Sequence, residues 1–427
     1  MKNVSSWFWR GLKIIVLAGL LSGFASAQKT TVVVWESEGY GLGAVKDQIQ
    51  QLTGVQLEIH DFPYNELRSK LETTLLTGDP SVAPDIVMID SIWLGELVTG
   101  GYLADLTQSV AKVAEDWYPA FRNGSQWPPE SGKYYGLWYD TDVRVTFYWP
   151  DLLQKAGVNP GDLLYQDTYI SACTKLKAAL KNDGIGGCWL DMAGSWAPDF
   201  EFFPYLWQEG GEILEKKDGK YVPAFQSEAG VRALQFLVDR VKAGIDPQTQ
   251  TFWGNDFAQK KWAVYPHGNW AASESRFPNT TANQRQQKIS ALPLPVSEPG
   301  KVPVTLAGGW IMSIPAVLQN KAPDRFAQAT KVMAAFLRAD VMTDYYGALA
   351  RVPVRAGVDR KVLSEKIEFF DFYSKMASVA RVRPAIPQWS QVSDAIFQAM
   401  GAAVFKGVDP KVALQNAADQ VRQILDH

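Results

Sequence analysis

The segment at residues 30–35 places the strongest constraint on the fold, because it is apolar on both faces. Its sequence, Thr-Thr-Val-Val-Val-Trp, is rich in β-branched residues and is typical of a strand buried inside a parallel sheet. Glycines within residues 39–43 then predict a turn, helical spacing over 45–52 predicts a helix, and residues 55–59 predict a second strand. Two parallel strands connected through a helix make this opening a βαβ unit.

A third buried strand is predicted at residues 85–90, after an amphipathic helix over residues 67–76. This strand ends in the carboxylate of Asp90. Ligands of open α/β sheets bind beyond the carboxyl ends of the strands. We therefore expect Asp90 and the loop after residue 35 to border one crevice.

The composition of the 427-residue chain is that of a folded protein of two or three compact units. Hydrophobic residues make up 47%, and 42 Lys+Arg nearly balance 45 Asp+Glu without long runs of like charge. This excludes a disordered chain, and we expect no nucleic acid as a partner. Three His and two Cys are too few and too scattered for a zinc site, so neither a metal nor a cofactor is expected.

Residues 1–27 have the features of a secretory signal peptide. Lys2, Arg10 and Lys13 precede the apolar run 14–21, and small residues follow up to Ala27, after which cleavage is expected. The alternative, an N-terminal membrane anchor, needs an apolar run of roughly 20 residues, which is much longer than this one. We therefore expect a mature protein in the periplasm.

The two cysteines are expected to form a disulfide. An oxidising compartment favours a bond between Cys173 and Cys188. The alternative is a pair of buried free thiols.

The rest of the sequence predicts two lobes, and we expect the chain to cross between them more than once. Residues 134–149 are strand-like and aromatic, which suits a crossing between lobes, and no repeat or low-complexity linker separates two units. The patterns further predict helices at 152–156, 170–180 and 229–242, and short strands at 262–265, 289–292 and 310–314.

Several segments, taken in their order and spacing, resemble one protein family. They are Trp35-Glu36-Ser37-Glu38-Gly39, 83–93, 100–106, Asp142 with Phe147-Tyr148 and 151–153, His267-Gly268-Asn269-Trp270, Ala307-Gly308-Gly309-Trp310, and Val352-Pro353-Val354-Arg355. Together they resemble the extracellular solute-binding proteins of ABC importers, in the large sugar-binding family 1 that includes maltose- and trehalose-binding proteins. The resemblance spans nearly the whole mature chain.

The resemblance implies an α/β fold of the two-lobed, type II periplasmic-binding-protein-like kind, in which each lobe is a mainly parallel sheet flanked by helices with hinge crossovers between them. The expected N-terminal lobe is 28–138 plus about 288–340, and the expected C-terminal lobe is about 139–287 plus about 341–427. The implied function is to close on a sugar and deliver it to the membrane permease subunits of an ABC importer. The family also implies a monomer.

The chemistry of a sugar sets which residues are candidates for its site. Carboxylates accept hydrogen bonds from hydroxyls, Arg and Asn donate to oxygens, and flat aromatic rings cover the apolar sugar faces. Sixteen Trp and carboxylates at strand ends fit this demand. No catalytic residue is expected, because the implied role is binding.

The polar candidates come from both lobes, and each has a structural alternative. The resemblance implies that Arg68 and Asp90 contact sugar, although Arg68 also fits a solvated helix face and Asp90 also fits a helix N-cap. Asp142 lies in the aromatic crossover, where its alternative role is an ion pair with Arg144. The sequence leaves pairs of neighbouring candidates unresolved: Glu36 and Glu38, Asp142 and Asp140, and Arg355 and Arg351.

The aromatic candidates are Trp93, Trp196, Trp253, Trp270 and Trp310. A Trp is more often part of the core than a ligand platform. Trp270 and Trp310 follow glycine-containing turns, where side chains can face a cleft. Gly308 and Gly309 are expected to offer backbone N–H groups to the ligand.

Two other functions fit parts of the sequence. A secreted glycoside hydrolase also combines paired carboxylates with Trp platforms, although no hydrolase motif is present. A ferric-ion-binding transport protein would use the adjacent Tyr345 and Tyr346 as phenolate ligands. Neighbours on a helix point about 100° apart, which disfavours a shared metal.

Overall fold

The computed structural model describes residues 30–250 and 254–426. The predicted signal peptide and the candidate Trp253 lie outside the described residues. Within these two ranges, none of the helices combines the length and the hydropathy needed to traverse a lipid bilayer.

The strands of the described chain are mostly short, and the two longest, Leu137–Tyr148 and Thr305–Ser313, have 12 and 9 residues. They are β1 (Thr31–Ser37), β2 (Gln56–Phe62), β3 (Ile86–Asp90), β4 (Leu137–Tyr148), β5 (Gly186–Cys188), β6 (Leu214–Lys217), β7 (Lys220–Pro223), β8 (Trp262–Gly268), β9 (Ser290–Leu292), β10 (Thr305–Ser313) and β11 (Ala380–Arg381).

The α-helices connect these strands and form most of the C-terminal third. They are α1 (Lys46–Thr53), α2 (Tyr64–Thr77), α3 (Leu94–Thr99), α4 (Thr107–Val110), α5 (Pro119–Gly124), α6 (Pro150–Ala156), α7 (Gln166–Leu180), α8 (Pro198–Glu201), α9 (Phe203–Gln208), α10 (Glu228–Lys242), α11 (Asn255–Ala258), α12 (Ala282–Lys288), α13 (Ala316–Lys321), α14 (Pro323–Phe336), α15 (Ala339–Leu349), α16 (Arg360–Lys366), α17 (Phe370–Ser378), α18 (Trp389–Lys406) and α19 (Pro410–Leu425). Short 3₁₀ helices include Leu42–Val45, Ser91–Trp93 and Asn269–Ala272.

One continuous sheet runs through both halves of the molecule, in the order β2-β1-β3-β10-β4-β8-β5. The outer pairs are parallel: β1 with β2 and β3, and β5 with β8. The central pairs that β10 and β4 make with each other and with β3 and β8 are antiparallel. We call β2-β1-β3 the first half-sheet and β8-β5 the second half-sheet.

Strands β4 and β10 join the two half-sheets. The N-terminal part of β4 pairs with β10, and its C-terminal part pairs with β8 and β9. The predicted crossing at residues 134–149 is therefore a strand for most of its length, and every residue of β4 is buried. The sheet is mixed at its centre, where we expected a mainly parallel arrangement, because the two crossing strands run against their neighbours.

The local patterns predicted most of the elements. The first three strands and the helices near residues 152, 170 and 229 form as expected, within a few residues at each end. The lobe ranges stay a prediction. Helix α15 packs against the 3₁₀ helix Leu42–Val45 beside β1, which favours a return of the chain to the C-terminal lobe after α15.

The predicted disulfide between Cys173 and Cys188 is confirmed. It connects α7 to β5 at the edge of the second half-sheet, with the two Cα atoms 5.3 Å apart. Both cysteines are buried, beside a core that includes Leu176, Leu180 and Trp189. The bond closes a short loop, which restricts the unfolded chain.

We predict that the double variant Cys173→Ser/Cys188→Ser loses up to about 3 kcal/mol of folding free energy, the value for a loop of this length in the chain-entropy model. Urea unfolding of both proteins, with and without reductant, measures the loss. Reductant should lower the stability of the wild type and leave that of the variant unchanged. Equal stability of the wild type and the variant in the absence of reductant would contradict a stabilising bond.

Candidate functional site

Asp90 is the last residue of β3, which pairs with β10 near the centre of the sheet. Its carboxylate accepts a hydrogen bond from the backbone N–H of Ile92 at 3.2 Å, which caps the following 3₁₀ helix. It also accepts one from the Tyr64 hydroxyl at 3.0 Å. Asp90 therefore has the capping role that the sequence allowed, and it faces other charged groups as well.

Arg383 connects Asp90 to a second carboxylate, that of Asp199. One guanidinium nitrogen donates to Asp90 at 3.3 Å, and another donates to Asp199, the second residue of α8, at 2.7 Å. The side chain is only 9% exposed. Asp90 ends β3 of the first half-sheet, and α8 lies in the chain between β5 and β8 of the second half-sheet, so this single guanidinium joins the two halves.

Arg144 continues the same network on β4. It forms an ion pair with Asp142, and its other guanidinium nitrogen lies 3.9 Å from Asp199. The guanidinium stacks on Phe200 and Trp270, 4.8 and 5.1 Å from the ring centroids. The ion pair that the sequence offered as the alternative for Asp142 is therefore present. We call the linked side chains of Asp90, Asp142, Arg144, Asp199 and Arg383 the charged cluster.

Trp310 packs with three other aromatic side chains near Asp90. We call Tyr40, Tyr64, Trp93 and Trp310 the aromatic wall. The Trp310 ring lies 5.0 Å from that of Tyr40 and 6.0 Å from those of Tyr64 and Trp93, measured between centroids. Because Trp310 pairs with Asp90 across β10 and β3, this wall adjoins the carboxylate directly. Trp310 and Trp270 are 5% and 8% exposed, so the gap between the halves is closed.

A second pair of opposite charges joins β4 to the segment that follows α15. Asp140 accepts hydrogen bonds from the backbone N–H of Trp310 at 3.3 Å and from the Tyr345 hydroxyl at 3.1 Å. Arg351 pairs with Asp140 at 3.6 Å and lies 3.9 Å above the Tyr40 ring. Of the neighbouring candidates, Asp140 thus borders the aromatic wall, and Asp142 belongs to the charged cluster.

Burial shifts the pKa values of these groups in opposite senses. It lowers the pKa of Arg144 to about 10 and raises the pKa of Asp140 to about 6. It also raises the pKa of Asp199, against the attraction of Arg383 and Arg144. For Arg383, burial alone lowers the pKa, but the carboxylates of Asp199 and Asp90 outweigh it and raise the pKa.

The two glycines of β10 allow the strand to approach its neighbours closely. The Gly308 N–H donates to Asp142 at 3.2 Å, so in this state it serves a protein carboxylate. A Cβ atom at Gly309 would overlap the Trp138 indole, and its φ of 152° is outside the range that side chains favour. Their predicted contacts with a ligand stay predictions.

Glu36 and Glu38 lie apart from the charged cluster. Glu36 is 1% exposed, and its carboxylate accepts a hydrogen bond from the Leu42 N–H at 2.9 Å within the turn after β1. Burial raises its pKa to about 8, helped by the nearby Asp61. Glu38 is exposed. The structure gives Glu36 a structural task in the turn that positions Tyr40.

The two predicted arginines have protein partners. Arg68 on α2 pairs with Glu72 and, at 2.6 Å, with Glu96, while its guanidinium lies 5.1 Å over the Trp93 ring. The Arg68 guanidinium therefore lies against Trp93 of the aromatic wall. Arg355 donates to Asp116 at 2.6 Å and stacks on Trp117, away from the contacts that link the cluster. The rival Arg351, by contrast, lies over Tyr40 in the aromatic wall and pairs with Asp140.

Sequence reasoning missed several residues of this site. Arg383 and Asp199 had no periodic signal, because one lies in a loop after β11 and the other in a four-residue helix. Tyr40 and Tyr64 follow β1 and β2, so their place beyond strand ends was the available clue. Trp196, a predicted candidate, is half-buried beside α8.

The tyrosine pair on α15 does not present phenolate ligands. Tyr345 donates to Asp140, and Tyr346 donates to the backbone carbonyl of Tyr139 at 2.7 Å. Burial raises both pKa values well above the ordinary value for tyrosine, which favours the neutral phenol. Within residues 30–250 and 254–426, no group of three His, Cys, Asp or Glu side chains is arranged to hold a metal ion.

Comparison with known proteins finds similarity over most of the chain. A family model described as bacterial extracellular solute-binding protein matches residues 36–343. The probable amino-acid ABC transporter periplasmic-binding protein y4oP of Sinorhizobium fredii is 22% identical over 400 residues, which is 90% of this chain and 86% of that protein. The arabinooligosaccharide-binding protein of Bacillus subtilis is 24% identical over 240 residues, or 54% and 52% of the two chains.

A solved structure has the same fold. The GacH receptor of Streptomyces glaucescens, crystallised without ligand and with acarbose, is 23% identical and superposes with a TM-score of 0.77. The match covers 93% of this chain and 99% of that one. The predicted two-lobed fold of the type II periplasmic binding proteins is thereby confirmed.

We predict that Glu36→Gln stabilises the protein at alkaline pH. The folded-state pKa near 8 lies above the ordinary value of 4.5, so the stabilising effect of this proton is complete below pH 4.5 and is lost as the pH rises through about 8. Glutamine keeps the acceptor for the Leu42 N–H and cannot ionise. The expected gain is near zero at pH 4.5 and about 3 to 5 kcal/mol at pH 9.

Denaturant unfolding of wild type and variant at both pH values measures this gain. Glu38→Gln, at an exposed neighbouring carboxylate, is the matched control and should show no gain that grows with pH. A Glu36→Gln effect of equal size at pH 4.5 and pH 9 would show that the buried carboxyl does not titrate in this interval.

Proposed function

The chain belongs to the family of bacterial extracellular solute-binding proteins, and we propose that its ligand is a carbohydrate, bound between the two halves of the molecule. One observation carries the proposal. Asp90 and Asp142 converge on two guanidinium groups, between Trp310 on one side and Trp270 on the other.

This arrangement suits a pyranose or furanose in two ways. Carboxylates and guanidinium groups supply acceptors and donors for adjacent hydroxyls, and charge-assisted hydrogen bonds of this kind are roughly twice as strong as neutral ones. The Trp rings can cover the C–H faces of the sugar, burying apolar surface at about 25 cal/mol per Å². In the closed state described here these groups satisfy one another, so a ligand would replace protein partners as the halves separate and close again.

The balance of charge favours an uncharged ligand. Arg383 serves Asp90 and Asp199, Arg144 serves Asp142, and each carboxylate therefore has a guanidinium partner. A free amino acid carries an ammonium and a carboxylate, and it would need unpaired protein charges to replace its hydration. The name of the Bacillus subtilis relative, an arabinooligosaccharide-binding protein, supports carbohydrate, whereas that of y4oP refers to amino acids.

The wider role follows from the family. We propose a periplasmic monomer that is cleaved after Ala27 and delivers the sugar to the permease subunits of an ABC importer. Its N-terminal lobe would comprise 28–138 plus about 288–340, and its C-terminal lobe about 139–287 plus about 341–427. The packing of α15 favours a return of the chain to the C-terminal lobe after this helix, which ends at Leu349. Ligand contacts from both lobes would stabilise the closed form by differential affinity.

We propose binding without catalysis. A glycoside hydrolase needs one carboxyl group that carries a proton at neutral pH and a second that is ionised. Here Asp90 and Asp199 both bind the Arg383 guanidinium, and the matched family is one of solute-binding proteins. Incubation with labelled oligosaccharides should therefore return them unchanged.

Thermal-shift measurements across a panel of mono- and oligosaccharides test the proposal. A bound sugar at a hundredfold excess over Kd adds about 2.7 kcal/mol to the free energy of unfolding, so at least one sugar should raise Tm. No shift with any sugar, together with a clear shift with an amino acid, would contradict a carbohydrate ligand.

Trp variants locate the binding. Trp270→Ala and Trp310→Ala should each weaken binding of the identified sugar about tenfold or more, because each removes a stacking surface. Trp262→Ala is the matched control, since Trp262 begins β8 at the end opposite to Gly268 and packs on Trp189. Loss of affinity equal to that of the control would place the sugar elsewhere.

A further inference from the structure

The two carboxylate oxygens of Asp90 have different numbers of hydrogen-bond donors around them. Oδ1 accepts bonds from the Ile92 N–H at 3.2 Å, the Ser91 hydroxyl at 3.3 Å and Arg383 at 3.3 Å. Among the donors of the described chain, only the Tyr64 hydroxyl bonds to Oδ2, at 3.0 Å. Each oxygen of an ionised carboxylate has two lone pairs. Oδ1 is therefore saturated, whereas Oδ2 can accept one further bond.

Tyr64 begins α2, and its ring packs within the aromatic wall. The ring centroid lies 5.2 Å from that of Trp93 and 6.0 Å from that of Trp310, which restricts the side chain and aims its hydroxyl at Asp90. Helix α2 contacts β1, and Asp90 ends β3, so both residues belong to the same half of the molecule. The bond between them is therefore independent of how the two halves close on each other.

The Tyr64 hydroxyl keeps its proton and donates it to Asp90. Burial, reinforced by the negative charge of Asp90, raises the pKa of Tyr64 well above its ordinary value. The single proton of the phenol is thus retained at neutral pH, and the bond to Oδ2 uses it. Towards any other group the phenol oxygen has only lone pairs to offer, so it acts as an acceptor.

Tyr64 Oη and Asp90 Oδ2 together form a pair of acceptors that lie 3.0 Å apart. The pair adjoins the bridge between the halves, since the charges of Arg383 and Asp199 also act on the Tyr64 hydroxyl. Two adjacent hydroxyl groups of a sugar supply two donors for such a pair. A carbonyl, an ether or a carboxylate supplies acceptors alone and does not match it.

We infer that Tyr64 is a specificity-determining residue, which together with Asp90 selects a sugar that carries two neighbouring free hydroxyl groups. This inference rests on the proposed function and specifies the ligand of the same site further. One ligand hydroxyl donates to Asp90 Oδ2, and the adjacent hydroxyl donates to Tyr64 Oη. An analogue that lacks either hydroxyl leaves a buried acceptor unpaired, and a site built to bond a hydroxyl rejects such analogues.

Isothermal titration calorimetry of the mature protein tests this inference. The probes are the tightest-binding sugar among glucose, galactose, arabinose, maltose and lactose, together with the complete series of its monodeoxy analogues. Tyr64→Phe keeps the ring in the aromatic wall and removes the hydroxyl. The matched control is Tyr118→Phe, which removes the hydroxyl of a tyrosine that is 39% exposed beside α5.

For the wild type we expect that two analogues, deoxygenated at neighbouring positions, bind about tenfold or more weakly than the parent sugar. Tyr64→Phe should bind the parent sugar about tenfold more weakly than the wild type does. It should bind one of those two analogues within about twofold of the wild-type affinity, because the missing partner no longer matters. Tyr118→Phe should keep every wild-type affinity.

A purely structural role of Tyr64 would weaken the parent sugar and every analogue by the same factor, and that pattern would overturn the inference. A wild type that tolerates the loss of any single hydroxyl would overturn it too, without the need for a variant. Both results leave the proposed function intact. No binding of any of these sugars to the wild type would contradict the proposed function as well.

Discussion

The guanidinium of Arg383 lies between the carboxylates of Asp90 and Asp199, and the site depends on this interaction. Without the cation, the carboxylates of Asp90 and Asp199 would lie near each other in a nearly dry space. Breaking a buried ion pair by removing one partner typically costs about 3 to 5 kcal/mol, because the remaining charge stays uncompensated. The same arrangement gives the molecule a polar interior that a sugar can enter, since its hydroxyls can take over bonds that protein groups make to one another.

The long strands determine where this network forms. Because β4 and β10 pair with each other and with both half-sheets, they bring the end of β3 beside the first residues of α8 and the turn after β8. Asp142 and Gly308 face each other in register, as do Asp90 and Trp310. The disulfide at the far edge and the buried turn around Glu36 stabilise the surroundings and do not contact the cluster.

The sequence predicted the fold well because its signals are local. The buried strands and amphipathic helices follow from periodicity, and Asp90 follows from its place at a strand end. The arrangement of the site was harder to foresee: Arg383 meets Asp90 across 293 residues and Asp199 across 184, and no spacing in a sequence encodes such a pairing. For the same reason Arg351, and not Arg355, lies against the aromatic wall, although both belong to one short segment.

A crystal structure of the protein with its bound sugar tests the central claim most directly. The account predicts a sugar between the two halves, with a hydroxyl hydrogen-bonded to Asp90 or Asp142 and with Trp270 or Trp310 against one of its faces. The bridge from Arg383 to Asp90 should be rearranged to admit it. A sugar bound at another surface, with the charged cluster still closed and these four residues out of contact, would contradict the account.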